Sequence, residues 1–175
     1  MPKTLVVVRH AKSDWSGRHA DRERPLAERG QRQAPRSGRW LAEQVRDLSI
    51  SAPGLAVVSP AERTRATWAL IAAELAATPP ERLDERIYAG SGEELLDVVR
   101  EITAEVEVAV LVGHLPGVED LVELLTGEWV SMPTSAMAAV WLPDTWAAAG
   151  HRRGVVRAHG RPPEGPLLAL PSGEC

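Results

Sequence analysis

A single cysteine, Cys175, closes the 175-residue chain. One thiol builds neither an intramolecular disulfide nor a cysteine-rich zinc site, which fits a reducing compartment. A basic excess is also missing: 20 Lys and Arg face 24 Asp and Glu, for a formal net charge of -4. That balance carries no nucleic-acid footprint. Long apolar runs are missing too. The opening stretch MPKTLVVVRH is too short in apolar residues for a signal peptide, and no later stretch reaches the roughly 20 residues that span a bilayer. Phenylalanine is absent and tyrosine occurs once, against six tryptophans; this is compositional bias and points to no function. The expectation is a cytoplasmic protein with neither a nucleic-acid nor a membrane partner. Nothing in the composition speaks to its oligomeric state.

What is there suffices for one domain with a sizeable core. TLVVV (Thr4 to Val8), GLAVVS (Gly54 to Ser59) and VEVAVLVGH (Val106 to His114) are β-branched and apolar without alternation, the pattern of strands buried on both faces. SAMAAVWLP (Ser135 to Pro143) and GVVRAHG (Gly154 to Gly160) suggest two later strands. Between them lie segments of helical period. Ala34, Leu41, Val45 and Leu48 mark one helix, with Pro35 placed to kink its start. Trp68, Ile71 and Leu75 mark a second. Leu95, Val99 and Ile102 mark a third, and Ser91 and Glu94 are spaced as its capping box. Val118, Leu121, Val122 and Leu125 mark a fourth, which starts after Pro116 and stops at Gly127. Strands alternating with helices predict an α/β fold: three layers, α/β/α, around a mostly parallel central sheet. Residues 1–160 form the expected domain. Residues 161–175, rich in Pro and Gly, form an expected extended tail whose LLAL stretch could dock on the body.

The polar residues collect where the strands end. Strand one runs into Arg9 and His10, strand two into SPAERTRAT (Ser59 to Thr67), and the VAVLV strand into Gly113 and His114. In a parallel sheet the carboxyl ends of the strands form the functional edge. Three endings of one chemical kind point to an anionic ligand, most simply a phosphoryl group. Arg63 and Arg65 fall in a first helical turn, where a cation is badly placed against the helix dipole unless it serves to bind an anion. Each of these residues, taken alone, also reads as an ordinary solvated loop or surface residue.

VVRHAKSDW resembles the RHG-type signature of the histidine phosphatase superfamily, which includes cofactor-dependent phosphoglycerate mutases and acid phosphatases. SPAERTRAT resembles its second motif, a Ser followed four residues later by a phosphate-binding Arg and then a Thr. LVGHLPGVEDLVELL resembles its second-histidine motif. RHAKSDW, RPLAERG, GHLP and PTSAMAAVWL look most like the small SixA-type phosphohistidine phosphatases. The likeness runs from Leu5 to about Leu142, in the family's order. It implies a phosphoglycerate mutase-like fold, with His10 as nucleophile forming a phosphohistidine intermediate. It further implies that Arg9, Arg63 and His114 surround the equatorial phosphoryl oxygens. Two positions depart from the wider family: Ala11 stands where Gly is usual, and Ser16 where the mutases tend to have Asn. LDERIYAG resembles the segment that carries the proton donor in the mutases and puts Glu85 at the matching position; a plain surface carboxylate is the competing reading. Asp14 and Asp21 are further acid candidates, Arg24 braces the rim, and Trp15 either lines the entrance or packs.

Phosphoryl transfer needs an in-line nucleophile and positive charge around a loose transition state. A neutral imidazole is available near pH 7, and arginine grips phosphate with a planar fork. No HExxH-type metal motif is present, so the expectation is a metal-independent phosphatase without a cofactor. Its expected partner is a phosphohistidine protein. The alternatives are a small phosphate ester, turned over by a phosphomonoesterase or mutase-like enzyme of the same superfamily, and a phosphate-binding regulatory module without catalysis. Only 28 residues separate Glu85 from His114. A helix and a strand fill them, which leaves no room for a lid and predicts a shallow, open site.

Overall fold

The strands without alternation lack it because both of their faces are covered. In β1 (Lys3–Arg9), residues Leu5 and Val7 join one core and Val6 and Val8 the other, all fully buried. The computed structural model describes residues 1–162. The remaining strands are β2 (Leu55–Val58), β3 (Glu81–Leu83), β4 (Val108–Gly113), β5 (Met137–Leu142) and β6 (Val155–Gly160). Four helices alternate with them: α1 (Glu28–Asp47), α2 (Glu62–Ala72), α3 (Gly92–Arg100) and α4 (Gly117–Thr126). Short 3-10 turns lie at Asp21–Glu23, Glu85–Ile87 and Trp146–Ala148.

The sheet order is β3-β2-β4-β1-β5-β6. Strands β3, β2, β4 and β1 run parallel, β5 runs antiparallel to β1, and β6 antiparallel to β5. The first crossovers carry α1 and α2 to one face, where Leu41, Trp68 and Ile71 pack on Val6, Val8 and Val112. The return crossovers carry α3 and α4 to the other face, where Leu95, Leu96, Leu121 and Leu125 pack on Leu5, Val7 and Leu111. This is the expected three-layer arrangement. The reversal leaves β1 and β4 adjacent while the helices that follow them depart to opposite faces. Their carboxyl ends therefore border a crevice, the topological switch point of such sheets.

Local signals held in part. Ser91 and Glu94 form the capping box, and Gly127 ends α4 at φ 79°. Helix α1 begins at Glu28, well before Ala34, so Pro35 lies inside it. Its packing stripe, with Ala34 and Leu41 buried, outweighs the one backbone bond a proline removes. Leu75 and Ile102 fall beyond the ends of α2 and α3; Ile102 is still buried in the core. The edge strand β3 was not expected: three residues, mostly polar, are too few for a period. The LLAL stretch lies outside the described residues.

One backbone approach fixes the segment after β1. The Lys12 carbonyl accepts from Ala27 N–H at 2.9 Å, and a Cβ on Gly30 would lie 2.1 Å from that carbonyl oxygen. Gly30→Ala should therefore push residues 11–13 away from α1. The expected cost is about 1–3 kcal/mol, by analogy with overpacked cores, and it should appear as a lower urea midpoint. An unchanged midpoint would contradict this close approach.

Candidate active site

Three strand ends deliver the site. Arg9 is the last residue of β1 and His10 the next; Ser59 follows β2; His114 follows Gly113 at the end of β4. Because Arg9 pairs with Gly113 across the parallel ladder, His10 and His114 leave the sheet side by side. Their ring centroids stand 5.1 Å apart. Helix α2, entered directly from β2, contributes Arg63 in its first turn, buried to 5% exposure. Arg65, its rival from sequence, is exposed.

Each of these side chains is tied to the scaffold by one end and leaves another nitrogen unused. His10 Nδ1 donates to the Ala11 carbonyl at 2.7 Å. A carbonyl can only accept, so Nδ1 carries the proton and Nε2 keeps its lone pair. His114 Nε2 meets Ser59 Oγ at 2.8 Å, and its buried Nδ1 has no partner. Arg9 Nη1 donates to the Met132 carbonyl at 3.0 Å and Arg63 Nη1 to the Asp21 carbonyl at 2.5 Å. The Nε atoms of both arginines are buried and unpartnered.

Further bonds hold the frame. Ala11 N–H donates to Thr67 Oγ1 at 3.0 Å, and that hydroxyl donates to the Arg63 carbonyl one helical turn earlier at 2.6 Å. Thr64 Oγ1 is shared between the Ser59 and Ala61 carbonyls. Ser135, at φ 66°, turns its N–H toward the carbonyls of Arg9 and His10, while its hydroxyl meets Ser37 of α1. The PTSAM segment thus braces the peptide that carries His10.

Electrostatics keep both imidazoles neutral. Burial pushes His10 down to about 4, assisted by the charges of Arg63, Arg9 and Arg24 and opposed by its bond to Ala11. Burial, then His10 and Arg63, push His114 down to about 3. A buried neutral base surrounded by guanidinium groups suits an anion carrying its own charge.

The expected residues fall into two sets. Arg9, His10, Arg63 and His114 come together at one rim. Glu85 opens the turn after β3, and its side chain is 70% exposed and paired with Arg22 at 2.5 Å. Asp14 bonds Ser16, which holds its carboxyl below the usual range. Asp21 lies closer to the centre than its sequence position suggested: it accepts from Tyr88 and Arg63 and pairs with Arg24. Arg24, treated in the sequence as a brace, is buried and adds its charge to both histidines. Trp15 is exposed, with the Arg24 guanidinium 3.7 Å from its ring centre. Tyr88 went unnoticed in the sequence, although the edge-on approach of its ring to His114 is only 5.7 Å. That it is the chain's lone tyrosine was the one available signal. His19, His151 and His159 are exposed. Among the described residues, no three His, Cys, Asp or Glu side chains gather as a metal site, and no helix is long and apolar enough to cross a membrane.

These shifts can be read directly. In the ligand-free protein the ring protons of His10 and His114 should stay at neutral chemical shifts down to pH 5.5 by NMR. A midpoint near the ordinary 6.5 for either ring would contradict the burial described. The unfolded chain protonates both groups more readily, so their contribution to stability is fully present above about pH 6.5. It is lost as the pH falls toward the folded values near 4 and 3.

Comparison with known proteins shows the family and the fold. Residues 5–107 match the sequence pattern of the histidine phosphatase superfamily (branch 1). An uncharacterized protein of Mycobacterium tuberculosis is 30% identical over 151 residues, covering 80% of this chain and 90% of its own length. Among solved structures, a protein of Nakamurella multipartita provisionally named SixA phosphohistidine phosphatase superposes with a TM-score of 0.79 at 23% identity, over 93% of this chain and 97% of its own. The protein histidine phosphatase SixA, complexed with tungstate, gives 0.75 at 21% identity, over 90% of this chain and 96% of its own. A mycobacterial glucosyl-3-phosphoglycerate phosphatase gives 0.68 at 15%, over 90% of this chain and 98% of its own. The structural likenesses establish the phosphoglycerate mutase-like fold; the matched pattern establishes the family. The chain belongs to the histidine phosphatase superfamily, branch 1.

Proposed function

We propose that this protein is a metal-independent phosphatase that forms a phosphohistidine intermediate on His10 and removes phosphate from phosphohistidine on a protein. The observation that carries the reading is the shared anchoring pattern: His10, His114 and Arg9 are each fixed by one nitrogen, Arg63 by its two terminal ones, and each holds another nitrogen in reserve at one rim. His10 Nε2 attacks phosphorus in line, and the bond from phosphorus to the leaving group breaks with its electron pair going to that group. Water then attacks the phosphorus, and the P–N bond breaks with its electron pair returning to Nε2. His10 departs as neutral imidazole while the protons of water leave with the phosphate. The Ala11 carbonyl strengthens its hold on Nδ1–H when the ring becomes cationic. With Ser59 donating to His114 Nε2, Nδ1–H is a free donor toward a phosphoryl oxygen, beside the guanidinium groups of Arg9 and Arg63. Positive charge comes from these side chains, so the proposed chemistry assigns no task to a metal ion.

The substrate class rests on the acids. Asp14 and Asp21 are both held below the ordinary carboxylate range and stay ionised, and Glu85 is turned outward onto Arg22. None is poised to protonate an alkoxide. A phosphohistidine protonated on its other ring nitrogen leaves as neutral imidazole and needs no such donor. The tungstate bound by the SixA neighbour is a tetrahedral oxyanion, the shape this rim suits.

In buffer containing EDTA, the wild-type protein should release phosphate from a phosphohistidine protein with a kcat/KM above that for any sugar phosphate. His10→Ala should abolish that release while still binding vanadate. Appreciable turnover by His10→Ala, or activity that needs added magnesium or zinc, would contradict the mechanism. A sugar phosphate hydrolysed about a hundredfold better would move the protein to the metabolic phosphatases.

A further inference from the structure

Three side chains, those of Arg24, Arg63 and Tyr88, meet on Asp21. Its carboxylate accepts from Tyr88 Oη at 2.7 Å and from Arg63 Nη2 at 3.1 Å, and its other oxygen pairs with Arg24 Nη2 at 3.0 Å. Its main-chain carbonyl accepts from Arg63 Nη1 at 2.5 Å. Asp21 thus closes the end-on edge of the Arg63 guanidinium, the one formed by its two terminal nitrogens. The edge left over is the side-on one, where Nε is buried and without a partner. A guanidinium binds an oxyanion with two parallel bonds along one edge at a time. The edge that Asp21 leaves open therefore decides how Arg63 meets a phosphoryl group.

We propose that Asp21 is the positioning residue of the phosphoryl site: it clamps Arg63 end-on, so that the side-on edge is the one presented to substrate, and ties Arg24 and Tyr88 into the same frame. The inference rests on the reading of Arg63 as a phosphoryl ligand. One alternative makes the carboxylate a placeholder that substrate pushes aside. The geometry speaks against it, because half of the clamp is a main-chain carbonyl in the 3-10 turn Asp21–Glu23. A side chain can swing away, but the carbonyl leaves only if the turn itself is remodelled. Another alternative, the proton donor, needs a carboxylic acid. Asp21 is held as a carboxylate, first by the Tyr88 hydroxyl and then by Arg63 and Arg24, against the opposing effect of its partial burial.

The test is a double-mutant cycle read in orthovanadate affinity and in kcat/KM for a chromogenic phosphate ester, on Asp21→Ala, Arg63→Ala and the pair. Arg63→Ala alone should weaken vanadate binding at least tenfold; if it does not, Arg63 is no phosphoryl ligand and the inference falls with that reading. Given that loss, Asp21→Ala should also weaken vanadate at least about tenfold, and the pair should be little worse than Arg63→Ala alone, because Asp21 acts through Arg63. A purely structural role would instead make the two losses add. Additive losses, or no loss from Asp21→Ala, overturn the proposal. Tighter vanadate binding by Asp21→Ala also overturns it, in favour of the placeholder. Asp21→Asn keeps the shape and one acceptor oxygen; if Asp21→Ala fails to fold, the same cycle is read with Asn, with the same outcomes decisive.

Discussion

The pairing of Arg9 with Gly113 in the β1–β4 ladder governs the site. It sets two histidines that are about a hundred residues apart in sequence at the same height above the same sheet. A slip of one residue would turn Leu5 and Val7 from one core to the other and send Arg9 to the wrong face. The apolar runs that fill both cores make such a slip expensive. The register of the site is therefore maintained by valines and leucines that are fully buried in the two cores.

Around that register the polar frame is built by reuse. Thr67 links the peptide after His10 to the helix that carries Arg63. Ser59 follows one strand and fixes the histidine that follows another. Each hydroxyl satisfies a buried group and also aims a functional one, so the cost of burying it is offset twice. The guanidinium groups are likewise held before any ligand arrives, and pre-organised charge is what a loose phosphoryl transition state requires. The two imidazoles stay neutral beside that charge because burial disfavours their cationic forms. On this account the site waits as a set of aimed donors around an uncharged nucleophile.

Much of this was legible in the sequence because the signals were strong and local. Unbroken β-branched runs announced doubly covered strands, and strand ends rich in Arg and His announced the rim. The ordered motifs placed Arg9, His10, Arg63 and His114 together. Sequence spacing alone did not separate Arg63 from Arg65; helical phase did, turning one to the sheet and the other to solvent. Asp21 was named only as an acid candidate and Tyr88 not at all, because their contacts are three-dimensional: one lies on a short turn without a period, the other after an edge strand of three residues. Helix α1 was misjudged at its start, since a proline weighs heavily in local rules and lightly against a long buried stripe.

The central claim is that the phosphoryl group passes through His10. Incubation with labelled phosphohistidine protein, followed by a rapid alkaline quench and peptide mapping, tests it directly. The account predicts an alkali-stable, acid-labile label on the peptide that contains His10 and no other. Label on His114 or on any other residue, or full turnover with no trapped phosphoprotein at any time point, would contradict it.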